Sequence, residues 1–249
     1  MAVVGIIGGS GLDNPDILKN AKDEAISTPF GATSSPLKHG TINNTKVILI
    51  ARHGREHTIT PSNVNYRANI FALKRCGCTH ILATTAVGSL KEEIERGDLV
   101  IIDQFIDFTK QRKITFHEKF EAGNPKHCPM STPFNEELRN ILIKKSRDLG
   151  FKFHPQGTVV TIEGPRFSTR AESNMFRSFG ADIINMSIAT EAILANETQI
   201  PYAAIAMSTD YDCWKIDEEP VSWEAISKIF AANADKVTTL LKSVIPIIQ

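Results

Sequence analysis

Two acidic residues, Asp210 and Asp212, follow an apolar run at Ala203–Met207 that has the length of a strand buried on both faces. If the chain stays extended there, side chains two residues apart point the same way, and both carboxyl groups project from the mouth of a buried sheet. Carboxyl groups in apolar surroundings suit proton transfer, because desolvation favours the neutral acid. The alternative is a turn with two solvated acids, since turns favour Asp.

Two earlier segments suit the binding of an anion. The first, Gly5–Gly11, places glycines after a strand, so that backbone amides can approach an anion closely and Ser10 can add a hydroxyl donor. Its spacing matches neither the dinucleotide-binding fingerprint nor a P-loop, which leaves a single phosphate as the expected ligand. The second, Arg52–His57, holds two arginines and two histidines directly after an apolar run. The alternatives are a tight turn and a solvated basic loop.

Three further strand ends carry side chains that suit a small ligand. Thr84–Leu90 offers hydroxyl donors, Glu163–Ser168 includes an aromatic ring at Phe167 that can stack on a flat ring, and Asn185–Ser187 includes the adaptable side chain of Met186. Each residue type also occurs commonly in an ordinary strand or core. Taken together, these segments predict one pocket at a sheet edge for phosphate, a flat ring and proton transfer.

Short apolar runs alternate with amphipathic segments along the chain. Strands are predicted at Val3–Ile7, Val47–Ile50, Ile81–Thr84, Leu99–Ile102, Thr158–Ile162, Ile183–Met186 and Ala203–Met207. Helices are predicted at Val64–Cys76, Glu136–Leu149, Thr169–Phe179 and Ile188–Glu197, with a last one capped by Ser222 and continuing toward Leu241. This alternation predicts an α/β fold, a single domain over residues 1–249 with a central mixed twisted β-sheet flanked by helices. The polar segment Asp107–Pro133 is expected to be a long surface excursion, of the kind that often carries function or subunit contacts.

The composition narrows the class of protein. The 28 basic and 28 acidic residues cancel, which argues against a duplex nucleic-acid binder. No apolar run is long enough to cross a membrane, and the N-terminus lacks the features of a signal peptide. The four cysteines lack the spacing of a zinc site and are expected to be reduced thiols. We therefore expect a cytoplasmic protein without membrane or nucleic-acid partners.

Ordered sequence blocks along nearly the whole chain resemble the methylthioadenosine-cleaving branch of the trimeric purine nucleoside phosphorylase family. The blocks are GIIGGSGL, TPFG, ARHGREHTITPSNVNYRANIFALK, TTAVGSL, GDLVIIDQFID, TIEGPRFSTRAES, NMS and AMSTDYDCWK. The resemblance implies the fold of that family and reversible phosphorolysis of 5′-methylthioadenosine to adenine and 5-methylthioribose-1-phosphate. It implies inorganic phosphate as co-substrate, no metal and no organic cofactor. It also implies a homotrimer or a dimer of trimers.

The resemblance assigns expected roles to individual residues. Phosphate would be bound by Ser10, Arg52, His53, Thr85, Ser187 and the backbone of Ala86. The nucleoside would be contacted by Phe167 over the purine, Ser168, Ile184, Met186 under the ribose, Val221 and Ile226 near the methylthio group, and His127 from a neighbouring subunit. Trp223 departs from the pattern, because a small aliphatic residue is expected there, and it would reshape the pocket for the 5′ substituent.

The expected mechanism places phosphate as nucleophile and Asp210 as general acid at purine N7, with Asp212 holding its geometry or sharing the proton. Relatives that act on inosine and guanosine carry Asn in place of Asp210 and Glu in place of Ser168, so both positions favour adenine. Three alternatives remain: a phosphorylase for methylthioinosine or inosine, a Rossmann oxidoreductase, and a nucleoside-binding protein without catalysis. The glycine spacing of Gly5–Gly11 does not match the dinucleotide-binding fingerprint, which disfavours the oxidoreductase. The presence of both the anion-binding and the acidic residues disfavours the binding protein.

Overall fold

Strands alternate with helices in a computed structural model that describes residues 1–9, 12, 16–217 and 222–249. The strands are β1 (Val3–Gly8), β2 (Lys19–Glu24), β3 (Ser27–Thr28), β4 (Gly31–Ala32), β5 (Leu37–Ile42), β6 (Thr45–Ala51), β7 (His80–Ser89), β8 (Leu99–Ile101), β9 (Gln104–Phe108), β10 (Phe153–His154), β11 (Thr158–Ile162), β12 (Ile183–Asn185) and β13 (Tyr202–Asp210). The helices are α1 (Tyr66–Arg75), α2 (Glu136–Asp148), α3 (Arg170–Ser178), α4 (Ile188–Glu197) and α5 (Trp223–Val244).

Side-chain caps at the first turns explain where several helices begin. Asn65 and Asn135 accept hydrogen bonds from backbone N–H groups at the starts of α1 and α2. At α3, Thr169 and Glu172 form the reciprocal capping box that the sequence predicts. These caps occupy N–H donors that the helices themselves leave without partners.

One mixed sheet organises the described chain. Its main path runs β10-β8-β13-β7-β1-β6-β5-β2, and the strands β13, β7, β1 and β6 are parallel to their neighbours in that order. The last residues of β7 also pair with β12, which continues through β11 to β9. The long strand β7 therefore belongs to both parts of the sheet, and the carboxyl ends of the central strands meet at one edge.

Helices cover both faces of the sheet. On one face, α1 and α4 bury side chains such as Ile70 and Leu194 in a core cluster with the strands. On the other face, α2 and α5 bury side chains such as Leu142 and Phe230. The prediction of an α/β fold with a mixed sheet flanked by helices is therefore confirmed.

Some predicted element bounds are confirmed and others are wrong. The bounds of β11 and α4 match the predicted ones, and the segment after β9 up to Pro133 is largely irregular surface chain, as expected. The predicted end of a strand at Thr84 is wrong, because β7 continues to Ser89 through its pairing with β12. The strand β2 was not predicted, since all its residues are exposed and leave no apolar pattern.

Candidate active site

A cavity of about 300 Å³ opens at the edge where the carboxyl ends of the strands meet. Most of the site residues predicted from the sequence line it: Arg52, His53, Thr85, Ala86, Phe167, Ser168, Ile184, Met186, Ser187, Asp210, Asp212 and Ile226. Ends of parallel strands are the usual place for ligands in open α/β sheets. The topology therefore gathers residues that are far apart along the chain around one volume.

Arg52 lies just after β6 and is 1% exposed. Its guanidinium makes a two-pronged ion pair with Glu191, with Nη2 donating to Oε2 at 2.9 Å, and Nη1 donates to the carbonyl oxygen of Thr84 at 2.9 Å. Burial alone would lower the pKa of Arg52, but the Glu191 carboxylate outweighs it and holds that pKa above its ordinary value. Since a guanidinium has five N–H donors, two remain for an anion in the cavity.

Glu191 is the buried partner that sequence reasoning missed. It lies on α4, and its carboxylate also accepts a hydrogen bond of 2.8 Å from the hydroxyl of Tyr202 on β13. The orientation of Arg52 is thus fixed from a helix and a second strand. The charge of Arg52 is compensated inside the protein, so the guanidinium offers oriented N–H donors to a ligand more than a free positive charge.

His53 is a neutral group in this environment. Burial, and then the neighbouring charge of Arg52, lower the pKa of His53 to about 3. Its Nδ1 lies 2.9 Å from the carbonyl oxygen of Ile59, and because a carbonyl only accepts, Nδ1 carries the single ring proton. Nε2 is then an acceptor, suited to a ligand oxygen that itself bears a proton.

Small polar groups continue this wall of the cavity. Ser187 is the N-cap residue of α4, yet its hydroxyl makes no capping hydrogen bond, and helix N-termini favour anions. Asn185 donates to the hydroxyl oxygen of Thr85 at 3.3 Å and accepts from the hydroxyl of Thr161 at 2.8 Å. Asn185 therefore orients Thr85, a role that the Asn-Met-Ser motif alone did not indicate.

The backbone that places Asp210 and Asp212 at the cavity differs from the predicted extended chain. The pairing of β13 with β7 shifts register between Ser208 and Asp210, and Asp212 lies in a turn after the strand with φ 49°. The expectation of a continuously extended chain is therefore wrong. Both carboxyl groups still line the cavity, because the bulge and the turn together re-aim them. The alternative of two solvated acids is also wrong, since Asp212 is buried and Asp210 is only partly exposed.

Burial changes the acidity of both carboxyl groups. It raises the pKa of Asp210 to about 6, against hydrogen bonds from the Thr209 hydroxyl and the Asp212 amide that lower it. The backbone N–H of Asp212 donates to Asp210 Oδ1 at 2.8 Å. Burial also raises the pKa of Asp212. Asp210 is thus a carboxyl group that holds a proton close to neutral pH.

Two glycines make room for the functional side chains. A Cβ added at Gly9 would lie 2.3 Å from Arg52 Nη1, and one added at Gly88 would lie 2.9 Å from Asp210 Oδ1. Real Cβ atoms do not approach other heavy atoms so closely. Both positions therefore need glycine for the close approach of a site side chain rather than for a special backbone conformation.

The loop after β11 forms another wall of the cavity. Phe167 is 39% exposed and lines the cavity beside Ser168 and Pro165, so its interpretation as a core aromatic is wrong. Met186, which directly follows β12, also lines the cavity and lies close to Gly164 of this loop. An exposed aromatic ring and an apolar side chain in one cavity suit a flat ligand.

Three aromatic rings in series line the side of the cavity near α5. The ring centroids of His53 and His57 are 4.5 Å apart, and those of His57 and Trp223 are 4.8 Å apart. Trp223 is the first residue of α5 and remains half exposed. The departure noticed in the sequence, a large residue at position 223, therefore does border the cavity.

One predicted site residue, His127, lies away from this cavity. Ser10 and Val221 lie outside the residues that the structure describes. His127 lies on the irregular segment after β9 and lines a separate cavity with Asn196 and Glu197. Within one chain, His127 does not reach the acids or Arg52.

The described residues form neither a metal site nor a membrane-spanning helix. Among those residues, no group of three or more His, Cys, Asp or Glu side chains is placed to hold a metal ion. None of the helices found there has the length and apolar character needed to cross a bilayer.

Comparison of the sequence with known proteins identifies close relatives. The family model described as "Phosphorylase superfamily" matches residues 3–246. S-methyl-5′-thioadenosine phosphorylase from Xenopus tropicalis is 55% identical over 246 residues, covering 98% of this chain and 88% of that protein. The corresponding protein from Danio rerio is 53% identical over 245 residues with the same coverage.

Solved structures of methylthioadenosine phosphorylase are similar to this chain as well. Methylthioadenosine phosphorylase from Schistosoma mansoni in complex with adenine superimposes with a TM-score of 0.94 at 41% identity, over 99% of this chain and 92% of that one. A mutant of the same Schistosoma mansoni enzyme in complex with methylthioadenosine gives a TM-score of 0.93 at 39% identity, over 99% and 91% of the two chains. The chain therefore belongs to the phosphorylase superfamily and, within it, to the S-methyl-5′-thioadenosine phosphorylases.

Proposed function

We propose that this protein catalyses the phosphorolysis of 5′-methylthioadenosine to adenine and 5-methylthioribose-1-phosphate. The observation that carries the proposal is a single cavity lined both by donors for an anion and by the carboxyl groups of Asp210 and Asp212, whose pKa values burial raises. Relatives named for this activity share about half of the sequence over nearly the whole chain. Inorganic phosphate is the co-substrate, and the reaction proposed here needs neither a metal nor an organic cofactor.

In this reaction a phosphate oxygen forms a bond to C1′ while the bond from C1′ to purine N9 breaks. The bonding electron pair moves into the purine, which takes up a proton at N7 and leaves as adenine. The transition state resembles an oxocarbenium ion, so an anion held next to C1′ both attacks and offsets the developing positive charge. Arg52, Thr85 and Ser187 orient the phosphate, and Nε2 of His53 accepts from a protonated phosphate oxygen.

Asp210 supplies the proton to the leaving base. An Asp with an ordinary pKa near 3.9 would be protonated in only about one molecule in a thousand at pH 7. With its pKa raised to about 6, roughly one molecule in ten holds the proton at that pH. Phe167 and Met186 enclose the purine and ribose between them.

Carboxyl groups at this end of the cavity favour a 6-aminopurine. The exocyclic amino group of adenine donates a hydrogen bond that a carboxyl oxygen of Asp210 or Asp212 accepts. A 6-oxopurine presents an acceptor at the same place and leaves a buried group without a partner. We therefore expect methylthioadenosine to be preferred over methylthioinosine and inosine, with Trp223 restricting the 5′ substituent.

We propose a homotrimer, or a dimer of trimers, in which His127 completes the cavity of a neighbouring subunit. Two observations support this. His127 lies on an exposed segment away from the candidate active site of its own chain, and Ile114 and Phe120 of that segment are exposed. The protein is proposed to act in the cytoplasm.

The deciding experiment measures adenine release from methylthioadenosine with and without phosphate. We expect release by the wild-type protein only when phosphate is present, and a loss in kcat/KM of at least about 100-fold in Asp210→Asn, because general acids contribute roughly that much. Asp148→Asn, which changes a half-exposed carboxylate on α2, is the matched control and should retain full activity. Phosphate-independent release, or near-normal turnover by Asp210→Asn, would contradict the proposal. Faster cleavage of methylthioinosine or inosine would support the alternative specificity.

A further inference from the structure

Thr209 is the residue at which the register of β13 shifts. Ser208 is opposite Val87 and Asp210 is opposite Gly88, so Thr209 has no partner residue on β7. Such bulges often re-aim a side chain beside an active site. Thr209 is buried, and its hydroxyl oxygen lies 2.8 Å from Asp210 Oδ2 and 3.2 Å from the carbonyl oxygen of Val87.

A hydroxyl has one hydrogen to donate and two lone pairs with which to accept. When Asp210 is ionised, Thr209 donates its hydrogen to Oδ2. When Asp210 is protonated on Oδ2, the acid donates to the Thr209 oxygen, and Thr209 turns its own hydrogen to the Val87 carbonyl. The Thr209 hydroxyl therefore keeps a hydrogen bond to Oδ2 in either state, whereas the Val87 carbonyl accepts the Thr209 hydrogen only when the acid is neutral.

The other oxygen of the acid has a fixed partner. Asp210 Oδ1 accepts from the backbone N–H of Asp212, a donor that is present in either state. Oδ1 also lies close to the backbone of β7, because a Cβ built at Gly88 would be 2.9 Å from it. The proton of the neutral acid therefore belongs on Oδ2, next to Thr209, because only that neighbour can change from donor to acceptor.

We propose that Thr209 is a positioning residue that holds the Asp210 carboxyl group in one orientation both before and after it gives its proton to the base. This inference rests on the proposed role of Asp210 as general acid. For the transfer, the Oδ2 hydrogen turns from the Thr209 oxygen to purine N7, after which the bond from Oδ2 to hydrogen breaks and a bond from N7 to hydrogen forms. Thr209 keeps its own hydrogen and rotates it from the Val87 carbonyl to the carboxylate that is left. The hydroxyl thus accepts from the resting acid and donates to the ion that the reaction produces.

The test compares Thr209→Val, which keeps the shape and removes the hydroxyl, with Thr209→Ser, which keeps the hydroxyl. We expect kcat for methylthioadenosine to fall about 10-fold or more in Thr209→Val. The KM for phosphate should stay unchanged, because the substitution impairs proton transfer from Asp210 and leaves the phosphate-binding residues intact. Thr209→Ser should stay within about threefold of wild type. Thr209→Ala serves as a second hydroxyl-free variant if valine disturbs the fold.

A pH profile separates this role from a merely structural one. The charged and titratable groups around Asp210 are Asp212 in the following turn and Arg96, and neither is changed in these variants. Because the Thr209 hydrogen bond lowers the pKa of Asp210, the alkaline limb of kcat/KM should move to higher pH in Thr209→Val and stay in place in Thr209→Ser. Wild-type kcat with an unmoved limb in Thr209→Val, or equal losses in both variants, would overturn the proposal.

A measurement of the Asp210 pKa without ligand tests the role of Thr209 separately from the proposed reaction. Carbon-13 NMR titration of protein labelled at its aspartate carboxyl carbons reports the Asp210 pKa without substrate, with Asp210→Asn identifying the signal. An upward shift in Thr209→Val but not in Thr209→Ser supports the inference, and no shift in either overturns it. Absence of phosphate-dependent adenine release by the wild-type protein would instead reject the proposed function.

Discussion

At the scale of single residues, Asp210 is a source of instability as well as of acidity. Its pKa of about 6 in the folded protein lies about two pKa units above that of a free Asp, because burial penalises the ionised form. This difference corresponds to about 3 kcal/mol at neutral pH. Asparagine mimics the protonated acid, since its amide nitrogen can donate to Thr209 while its oxygen accepts from Asp212. We therefore predict that Asp210→Asn is more stable than wild type at pH 7 while being inactive.

The pH dependence of this gain has a definite sign. Below about pH 4 the carboxyl group is protonated in both the folded and the unfolded chain and carries no penalty. Between about pH 4 and pH 6 the folded protein keeps a proton that the unfolded chain has lost, so the stability of wild type falls as pH rises. Urea unfolding should find the advantage of Asp210→Asn about 1.3 kcal/mol larger at pH 7 than at pH 5. A constant advantage across this range would show that the carboxyl group is not held neutral by the fold.

Gly88 offers a second prediction at the same scale. A methyl group at this position would lie 2.9 Å from Asp210 Oδ1 and 3.0 Å from Ile184 Cγ2, so both side chains must move. Gly88→Ala should therefore lower kcat by at least about tenfold, since misplacement of a catalytic group is costly, and lower the free energy of unfolding by about 1–3 kcal/mol, the usual cost of overpacking. Steady-state kinetics with thermal unfolding of the same preparation checks this. Full activity in this variant would mean that the carboxyl group has more room than the structure gives it.

At the scale of elements, the ion pair of Arg52 and Glu191 joins β6 to α4, with Tyr202 of β13 as a third member. Removing one partner of a buried pair leaves an uncompensated charge, at a cost of about 3 kcal/mol or more. Glu191→Gln should therefore lower the free energy of unfolding by roughly that amount and raise KM for phosphate.

Tyr202→Phe is the matched control for that variant. It removes a single hydrogen bond to Glu191 and should cost only about 1 kcal/mol. Denaturant unfolding and phosphate titration of both variants provide the measurements. Equal effects of the two changes would show that the ion pair contributes no more than the tyrosine hydroxyl does.

The sequence predicts those elements and site residues whose signal is local. Thr158–Ile162 and Ile188–Glu197 have the predicted bounds because their burial leaves an apolar pattern. The exposed strand Lys19–Glu24 leaves none, and it forms only because it pairs with a neighbouring strand. Glu191 could not be assigned to Arg52 because the two residues are 139 positions apart and meet only in the folded chain. The turn at Asp212 is part of the alternative that the sequence left open, and Asp tolerates the positive φ found there, whereas the burial of both acids depends on the folded chain.

At the scale of the whole molecule, the position of His127 leads to a prediction about assembly. If His127 completes a neighbour's cavity, His127→Ala and Asp210→Asn damage the same site from two different chains. Each variant alone should then have low activity, whereas co-expression in equal amounts should restore about one site in four in a closed ring of subunits. Adenine release by the purified mixed assembly, compared with both single variants, provides the measurement. Activity no higher than that of the single variants would indicate that each chain completes its own site.

The length of β7 fixes the separation between two parts of the cavity. In the proposed reaction Thr85 contacts the phosphate, and a Cβ built at Gly88 would lie 2.9 Å from Asp210 Oδ1, so three residue steps of one strand, about 10 Å at ~3.3 Å each, separate these two positions. Both positions belong to the same hydrogen-bonded strand, so neither can move along it independently of the other. Deleting one residue between them would turn every later side chain of β7 to the opposite face, a change that no neighbouring loop can compensate.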